Sequence, residues 1–230
     1  MIDLYTAPTP NGWKISVMLE ECELPYRVNW IDITRGDQFE PSFLEISPNN
    51  RIPAIVDTEP FDGGDSIAIF ETGAILLYLA DKTGRFIPQD LRGRKAVLEW
   101  LFWQVGGLGP MLGQYGYFKN YAPERIEFAT KRYRTETLRL YGVLDRRLAR
   151  APYLAGDELS IADMAAFPWV QTYRAQDISL EDFGHVKQWY EELKQREGLR
   201  RGMSVGRDKL HDPEQSRIVA DAPPPSDLES

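Results

Sequence analysis

Every segment of this chain that reads as β-strand falls within its first 70 residues, and the rest of its 230 residues read as helix, turn or polar tail. Such a lopsided distribution points to a small α/β layer followed by an all-helical one. Met1 to Thr6 reads as a short apolar strand, and Pro8, Pro10 and Gly12 punctuate a turn after it. Ile15, Val17, Met18 and Leu19 predict a helix over Trp13 to Glu23, and Tyr26 to Ile33 alternates as a second strand. Pro41 to Ile46 reads as a short helix, closed by a turn at Asn49-Asn50. A third strand, Ile52 to Asp57, opens with proline; the turn Asp62-Gly63-Gly64-Asp65 leads to a fourth, Ser66 to Phe70, and a strongly apolar helix follows over Glu71 to Lys82.

The order β-α-β, irregular connection, β-β-α is the thioredoxin-like arrangement, a small mixed sheet with helices against it. It predicts a thioredoxin-like domain over 1–82, a linker over 83–91 where Gly84 and Pro88 break the pattern, an all-helical domain over 92–202 and an extended tail over 203–230. Within the helical part, Arg94 to Phe118 is interrupted by Gly106-Gly107 and Gly109-Pro110, which should kink or split it. Pro123 to Arg150 predicts a long helix with Pro123 in its first turn, and Ile161 to Tyr173 and Asp182 to Glu197 complete the set. Beyond Met203 the chain turns polar and ends in Ala222-Pro223-Pro224-Pro225-Ser226, a composition expected to be disordered or draped over a neighbouring surface.

A net charge of -8 argues against nucleic-acid binding, which needs clustered Lys and Arg. The most apolar run, Gly73 to Ala80, is too short to span a bilayer and is bracketed by Glu71 and Asp81, so no membrane partner is expected. The first ten residues have no basic n-region, and Cys22 is the sole cysteine, which excludes an intrachain disulfide framework; a reducing, cytoplasmic setting is expected. His185 and His211 are far apart without a companion ligand set, so no metal is expected.

Three short segments offer chemistry. Pro8-Thr9-Pro10-Asn11-Gly12 joins the first strand to a helix amino end, where a thioredoxin keeps its cysteine pair and where unsatisfied N–H groups favour a thiolate. No cysteine stands there, so any thiolate must arrive with a ligand; Thr9 and Asn11 offer it hydrogen-bond donors, or merely shape the turn and cap the helix. Ile52, ahead of Pro53, can pair its backbone with an extended peptide if the bond is cis, and otherwise starts an ordinary strand. Glu71 and Thr72, at a strand-to-helix junction, suit an amino-acid head group: helix N–H groups and the Thr72 hydroxyl for its carboxylate, Glu71 for its ammonium, unless they serve only the cap and the dipole. Together the three fit an amphoteric peptide carrying a thiol, and glutathione has that shape.

Elsewhere Ser160-Ile161-Ala162-Asp163 fits a capping box. Cys22, near the far end of the first helix, reads as a buried inert thiol with a raised pKa. Trp100, Phe102, Trp103, Tyr115, Tyr117 and Phe118 either line an acceptor pocket or fill the core.

Over residues 1 to about 205 the chain resembles a glutathione transferase, most closely the bacterial Nu class. The resemblance rests on residues 7–12 (Ala-Pro-Thr-Pro-Asn-Gly), 46–55, 70–76, the aromatic Trp100 to Met111 and Ser160 to Asp163. It implies the glutathione transferase fold and a homodimer. It also implies an oxidoreductase activity, glutathione-dependent disulfide reduction, using two bound glutathione molecules or one oxidised glutathione and no metal. Thr9 and Asn11 match the donors facing the glutathione sulfur, Ile52 before a cis Pro53 the partner of the cysteinyl backbone, and Glu71 and Thr72 the γ-glutamyl clamp, where the family usually has Ser in place of Thr72. Gln38 matches a further polar contact and Arg132 a contact to a second glutathione, although Arg132 and Glu136 also stand at ion-pair spacing. Asp163 matches a folding residue. The rival enzyme activity is conjugation of electrophiles or reduction of hydroperoxides by the same thiolate, and the rival of another class is a non-catalytic glutathione-binding module.

Overall fold

The structure, a computed structural model, describes residues 1–209. Four strands, β1 (Ile2–Thr6), β2 (Tyr26–Trp30), β3 (Ala54–Asp57) and β4 (Ile67–Phe70), form one sheet in the order β2-β1-β3-β4. β1 pairs parallel to β2, while β3 runs antiparallel to both β1 and β4, with Leu4 opposite Ile55. A parallel β1–β2 pair needs a crossover, and α1 (Pro10–Glu21) supplies it. The mixed sheet with its helices, followed by a helical remainder, is the expected α/β-plus-all-α fold. Strands β2, β3 and β4 are all shorter than expected, and β3 starts at Ala54, after Pro53 rather than with it.

Helix α1 starts at Pro10, three residues before the expected Trp13. Proline is compatible with a first helical position because its missing N–H has no intrahelical partner there. Thr9 is the N-cap, its hydroxyl oxygen accepting from Gly12 N at 3.2 Å. A Cβ on Gly12 would lie 2.2 Å from Ala7 O, so only glycine lets this turn close against the end of β1. After the short α2 (Pro41–Leu44), α3 (Thr72–Thr83) packs beside α1 and ends on Gly84, whose φ of 67° is left-handed.

The second half runs α4 (Leu91–Trp103), α5 (Gly109–Gly116), α6 (Glu127–Leu148), α7 (Ile161–Val170), α8 (Gly184–Leu193) and α9 (Glu197–Ser204). The run through Gly106-Gly107 and Gly109-Pro110 is split as expected: α4 ends at Trp103, residues 104–108 form a wide π-type turn, and Pro110 falls at the start of α5, where no helical donor is needed. Two expectations need correction. Helix α6 begins at Glu127, not Pro123, because residues 123–126 are exposed and bury nothing that would offset ordering them into a helix. The helix expected over Asp182 to Glu197 is two helices, broken at Arg196, whose backbone turns extended (ψ 131°) while its guanidinium reaches Glu21.

Met203 is therefore not the start of a tail: it is buried within α9. α9 lies across α1 so closely that a Cβ on Gly202 would stand 2.4 Å from Val17 Cα. Ser16 Oγ donates to Gly202 O (2.7 Å), Trp13 Nε1 to Val205 O (3.0 Å), and Arg196 and Leu199 N to the Glu21 carboxylate (2.7 to 3.1 Å). The rest of the expected tail, residues 210–230 including the proline run and His211, lies outside the described residues.

A continuous core joins the halves, with Leu4, Ile15, Met18, Ile55 and Leu76 on one side and Leu101, Leu144, Ile161 and Phe167 on the other. Asp163, fully buried in the first turn of α7, accepts from Ser160 N, Ser160 Oγ, Leu154 N and Trp189 Nε1 at 2.9 to 3.1 Å. Cys22 is buried at the carboxyl end of α1, its sulfur 3.6 Å from Thr83 Oγ1, and burial pushes its thiol above the ordinary range.

Candidate active site

A cleft of about 440 Å³ opens where the ends of α1, β3 and α3 face α5 and α7. Asn11, Lys14, Ile52, Pro53, Glu71, Thr72, Gly109 and Trp169 are among its lining residues. The three segments singled out from sequence, at Asn11, Ile52 and Glu71-Thr72, thus share one cavity. Its size suits a small peptide-like ligand.

Asn11 sits in the first turn of α1, beside the N-cap Thr9. Trp169 Nε1 donates to Asn11 Oδ1 at 3.0 Å, leaving the Asn11 amide N–H groups uncommitted among the described residues. Thr9 spends a lone pair on Gly12 N, and its hydroxyl hydrogen stays available. Asn11 lines the cleft at the amino end of α1, which favours negative charge, whereas Thr9 is not among the cleft residues.

Ile52–Pro53 is a cis peptide bond, and both residues line the cleft. Glu71 caps α3 with a φ of 69°, a conformation costly for a residue with a Cβ and one that clusters at functional sites. Its Oε1 accepts from Asn49 Nδ2 at 3.3 Å. The first N–H groups of α3, a helix of 12 residues, point outward beside the Thr72 hydroxyl, an arrangement suited to a carboxylate.

Beneath Thr72 lies a group that sequence reasoning missed. Lys14 is 2% exposed; its Nζ donates to Gln104 Oε1 at 2.7 Å and to Thr72 Oγ1 at 3.3 Å. Burial lowers its pKa to about 7, opposed only in part by the Glu71 carboxylate. By accepting from Lys14, the Thr72 oxygen leaves its own hydrogen free for a ligand. The available signal was positional: Lys14 stands three and four residues before the buried Val17 and Met18, in the apolar stripe of α1. Trp169 was missed too, being one aromatic in a helix buried almost all round.

Other expected residues lie apart from this cleft. Gln38 is buried in the turn Asp37–Phe39, its Nε2 donating to Ile33 O at 3.5 Å, and it is not among the cleft residues. Arg132 is exposed on α6; Glu136 pairs with Arg139 (2.6 Å) instead of with it. None of Trp100, Phe102, Trp103, Tyr115, Tyr117 and Phe118 lines the cleft, whose aromatics are Phe70 and Trp169; Tyr115 is core and Phe102 points to solvent. Among the described residues no group of three or more His, Cys, Asp or Glu side chains is placed to hold a metal, and no helix is long and apolar enough to cross a membrane.

Two family models match the chain: the N-terminal domain of glutathione S-transferase over residues 9–82 and its C-terminal domain over 110–197. The chain is 56% identical over 196 residues to the disulfide-bond oxidoreductase YfcG of Escherichia coli K12, covering 85% of this chain and 91% of that protein. A glutathione transferase from Burkholderia graminis, solved with two glutathione molecules bound per subunit, superposes with a TM-score of 0.84 at 41% identity, covering 90% of this chain and 88% of that one. A glutathione transferase from Pseudomonas putida, solved with one glutathione disulfide per subunit, gives 0.84 at 40% identity, with 89% and 91% covered.

Proposed function

The chain belongs to the glutathione S-transferase family, and from that premise we propose that it is a glutathione-dependent disulfide-bond reductase. The observation that carries the proposal is the separation of the α1 donors from the chain's own sulfur. Thr9 and Asn11 stand at the amino end of α1, whereas Cys22, the sole cysteine, is buried at the opposite end. Both reacting thiols must then come from solution. The bound glutathione thiolate attacks one sulfur of a substrate disulfide, forming a mixed disulfide and expelling the other sulfur as a thiolate that takes up a proton. A second glutathione thiolate attacks the glutathione sulfur of the mixed disulfide. Oxidised glutathione leaves with the second substrate thiolate, so two glutathiones lose two electrons and one disulfide gains them. The curated relative's activity and the ligands of the two solved relatives support this reading.

In this scheme Thr9 and Asn11 lower the thiol pKa by hydrogen-bonding its ionised form, Ile52 pairs with the cysteinyl backbone, and Glu71 and Thr72 hold the γ-glutamyl head. Gln38 and Arg132 serve a farther part of the ligand or the second glutathione. The working division is a thioredoxin-like glutathione-binding domain over 1–82, a short linker and a helical domain running from α4 through α9, past the boundary first expected at 202. Lowering a thiol pKa from about 8.5 by one or two pH units is worth roughly 1.4 to 3 kcal/mol, within reach of two hydrogen bonds and a helix end. Replacing Thr9 and Asn11 together with Ala is expected to slow reduction of a small disulfide by about 10- to 100-fold, with unchanged turnover overturning the mechanism.

A cytoplasmic setting fits chemistry that draws on a reduced thiol pool. A homodimer is supported by the apolar face of α4, where Leu91 and Phe102 are 84% and 67% exposed on either side of Leu98; light scattering tests it.

A further inference from the structure

The Asn11 side chain has two unlike ends, and only one helps a thiolate. Its amide nitrogen donates; its oxygen would repel. The oxygen end is engaged by a residue 158 positions away: Trp169 Nε1 donates to Asn11 Oδ1 at 3.0 Å. An indole N–H can donate and cannot accept, so this contact assigns the amide without ambiguity. Helix α5 is shaped to keep the indole there. A Cβ on Gly109 would come within 3.2 Å of Trp169 Nε1, and one on Gly113 within 3.1 Å of Trp169 Cη2. The two glycines are one helical turn apart, so together they form the flat wall against which the ring lies. Gly109 faces a second buried polar group as well, Gln104 Nε2, which has no partner among the described residues.

We propose that Trp169 is a positioning residue for disulfide reduction, holding the Asn11 amide with its nitrogen toward the glutathione sulfur from across the interface between the two halves of the chain. This rests on the reductase reading above. Once the indole N–H is gone, the amide can rotate and present oxygen to the thiolate. The helical half thereby sets the polarity of the donor pair at the redox turn.

Trp169→Phe keeps an aromatic ring and removes the donor. The test measures the thiol pKa of bound glutathione by ultraviolet thiolate absorbance, and steady-state reduction of a small disulfide, in wild type, W169F, N11A and the double variant. W169F is expected to raise the bound thiol pKa by about half to one pH unit and lower kcat/KM by about 5- to 10-fold. In the N11A background it is expected to do nothing further, because the group it positions is gone. An unshifted thiol pKa in W169F, or effects of the two substitutions that simply add, overturns the proposal. A separate readout needs neither ligand nor turnover: the Asn11 side-chain amide signals in a 15N–1H spectrum of the free protein are expected to move in W169F. Absence of that movement refutes the contact itself. An amide shift accompanied by full activity in N11A refutes the proposal by removing the reductase role of Asn11 while leaving the indole contact standing.

Discussion

Lys14→Met should make the protein more stable in mild acid and less stable in base. In an unfolded chain a lysine titrates near its ordinary 10.5, whereas burial brings Lys14 to about 7. Below pH 7 both states are protonated, and the folded state bears the whole cost of keeping an ammonium at 2% exposure, on the order of 5 kcal/mol for a displacement of that size. Between about pH 7 and 10 the unfolded chain holds a proton that the folded one has released, so wild-type stability gains about 1.4 kcal/mol per pH unit from this group. Methionine has no such dependence. It does orphan Gln104 Oε1, which Lys14 now serves at 2.7 Å, at about 1 to 3 kcal/mol. The variant should therefore be about 2 to 4 kcal/mol more stable than wild type near pH 6, and up to about 2 kcal/mol less stable near pH 10, where roughly 1 kcal/mol of the burial cost remains. Urea titration of both ligand-free proteins at matched pH measures the difference, in which every other titrating group cancels. Curves that run parallel from pH 6 to 10 would mean that Lys14 titrates near its ordinary range, and the argument from burial would fail.

Two other positions probe how the halves are joined. Gly202→Ala drives a methyl to 2.4 Å from Val17 Cα, a backbone atom that cannot step aside, so α1 and α9 must separate; a loss of about 2 to 3 kcal/mol, read as a fall in Tm of about 5 to 10 °C, is expected. Asp163→Ala strands the buried donors Leu154 N, Ser160 N and Trp189 Nε1 together, for an expected loss of about 3 to 5 kcal/mol, visible in urea unfolding as a lower midpoint.

What could be read from the sequence, and what could not, divides along the range of the interactions involved. Thr9 as a cap, the succession of strands and helices over the first 83 residues and the Ser160–Asp163 pair each depend on neighbours within a few positions, and their signals lie in the local string of residues. Helix α9 was hidden for the opposite reason. Its evidence is the pair Gly198 and Gly202 spaced to admit the backbone and side chains of α1, and a glycine among arginines reads as a helix end until its partner is known. Arg196 likewise breaks a continuous helical pattern only because Glu21, 175 residues earlier, lies within reach. The site repeats this contrast within one side chain. That Asn11 stands at a helix end is local information; which way its amide points depends on Trp169, and the indole in turn depends on the absence of side chains at Gly109 and Gly113. A sequence motif can thus nominate the donors of such a site, but the direction in which they donate belongs to the packing of one half of the chain against the other. Exchanging the helical half for that of a relative with a bulkier residue at position 109 or 113 would therefore leave the redox turn intact in sequence and altered in charge preference.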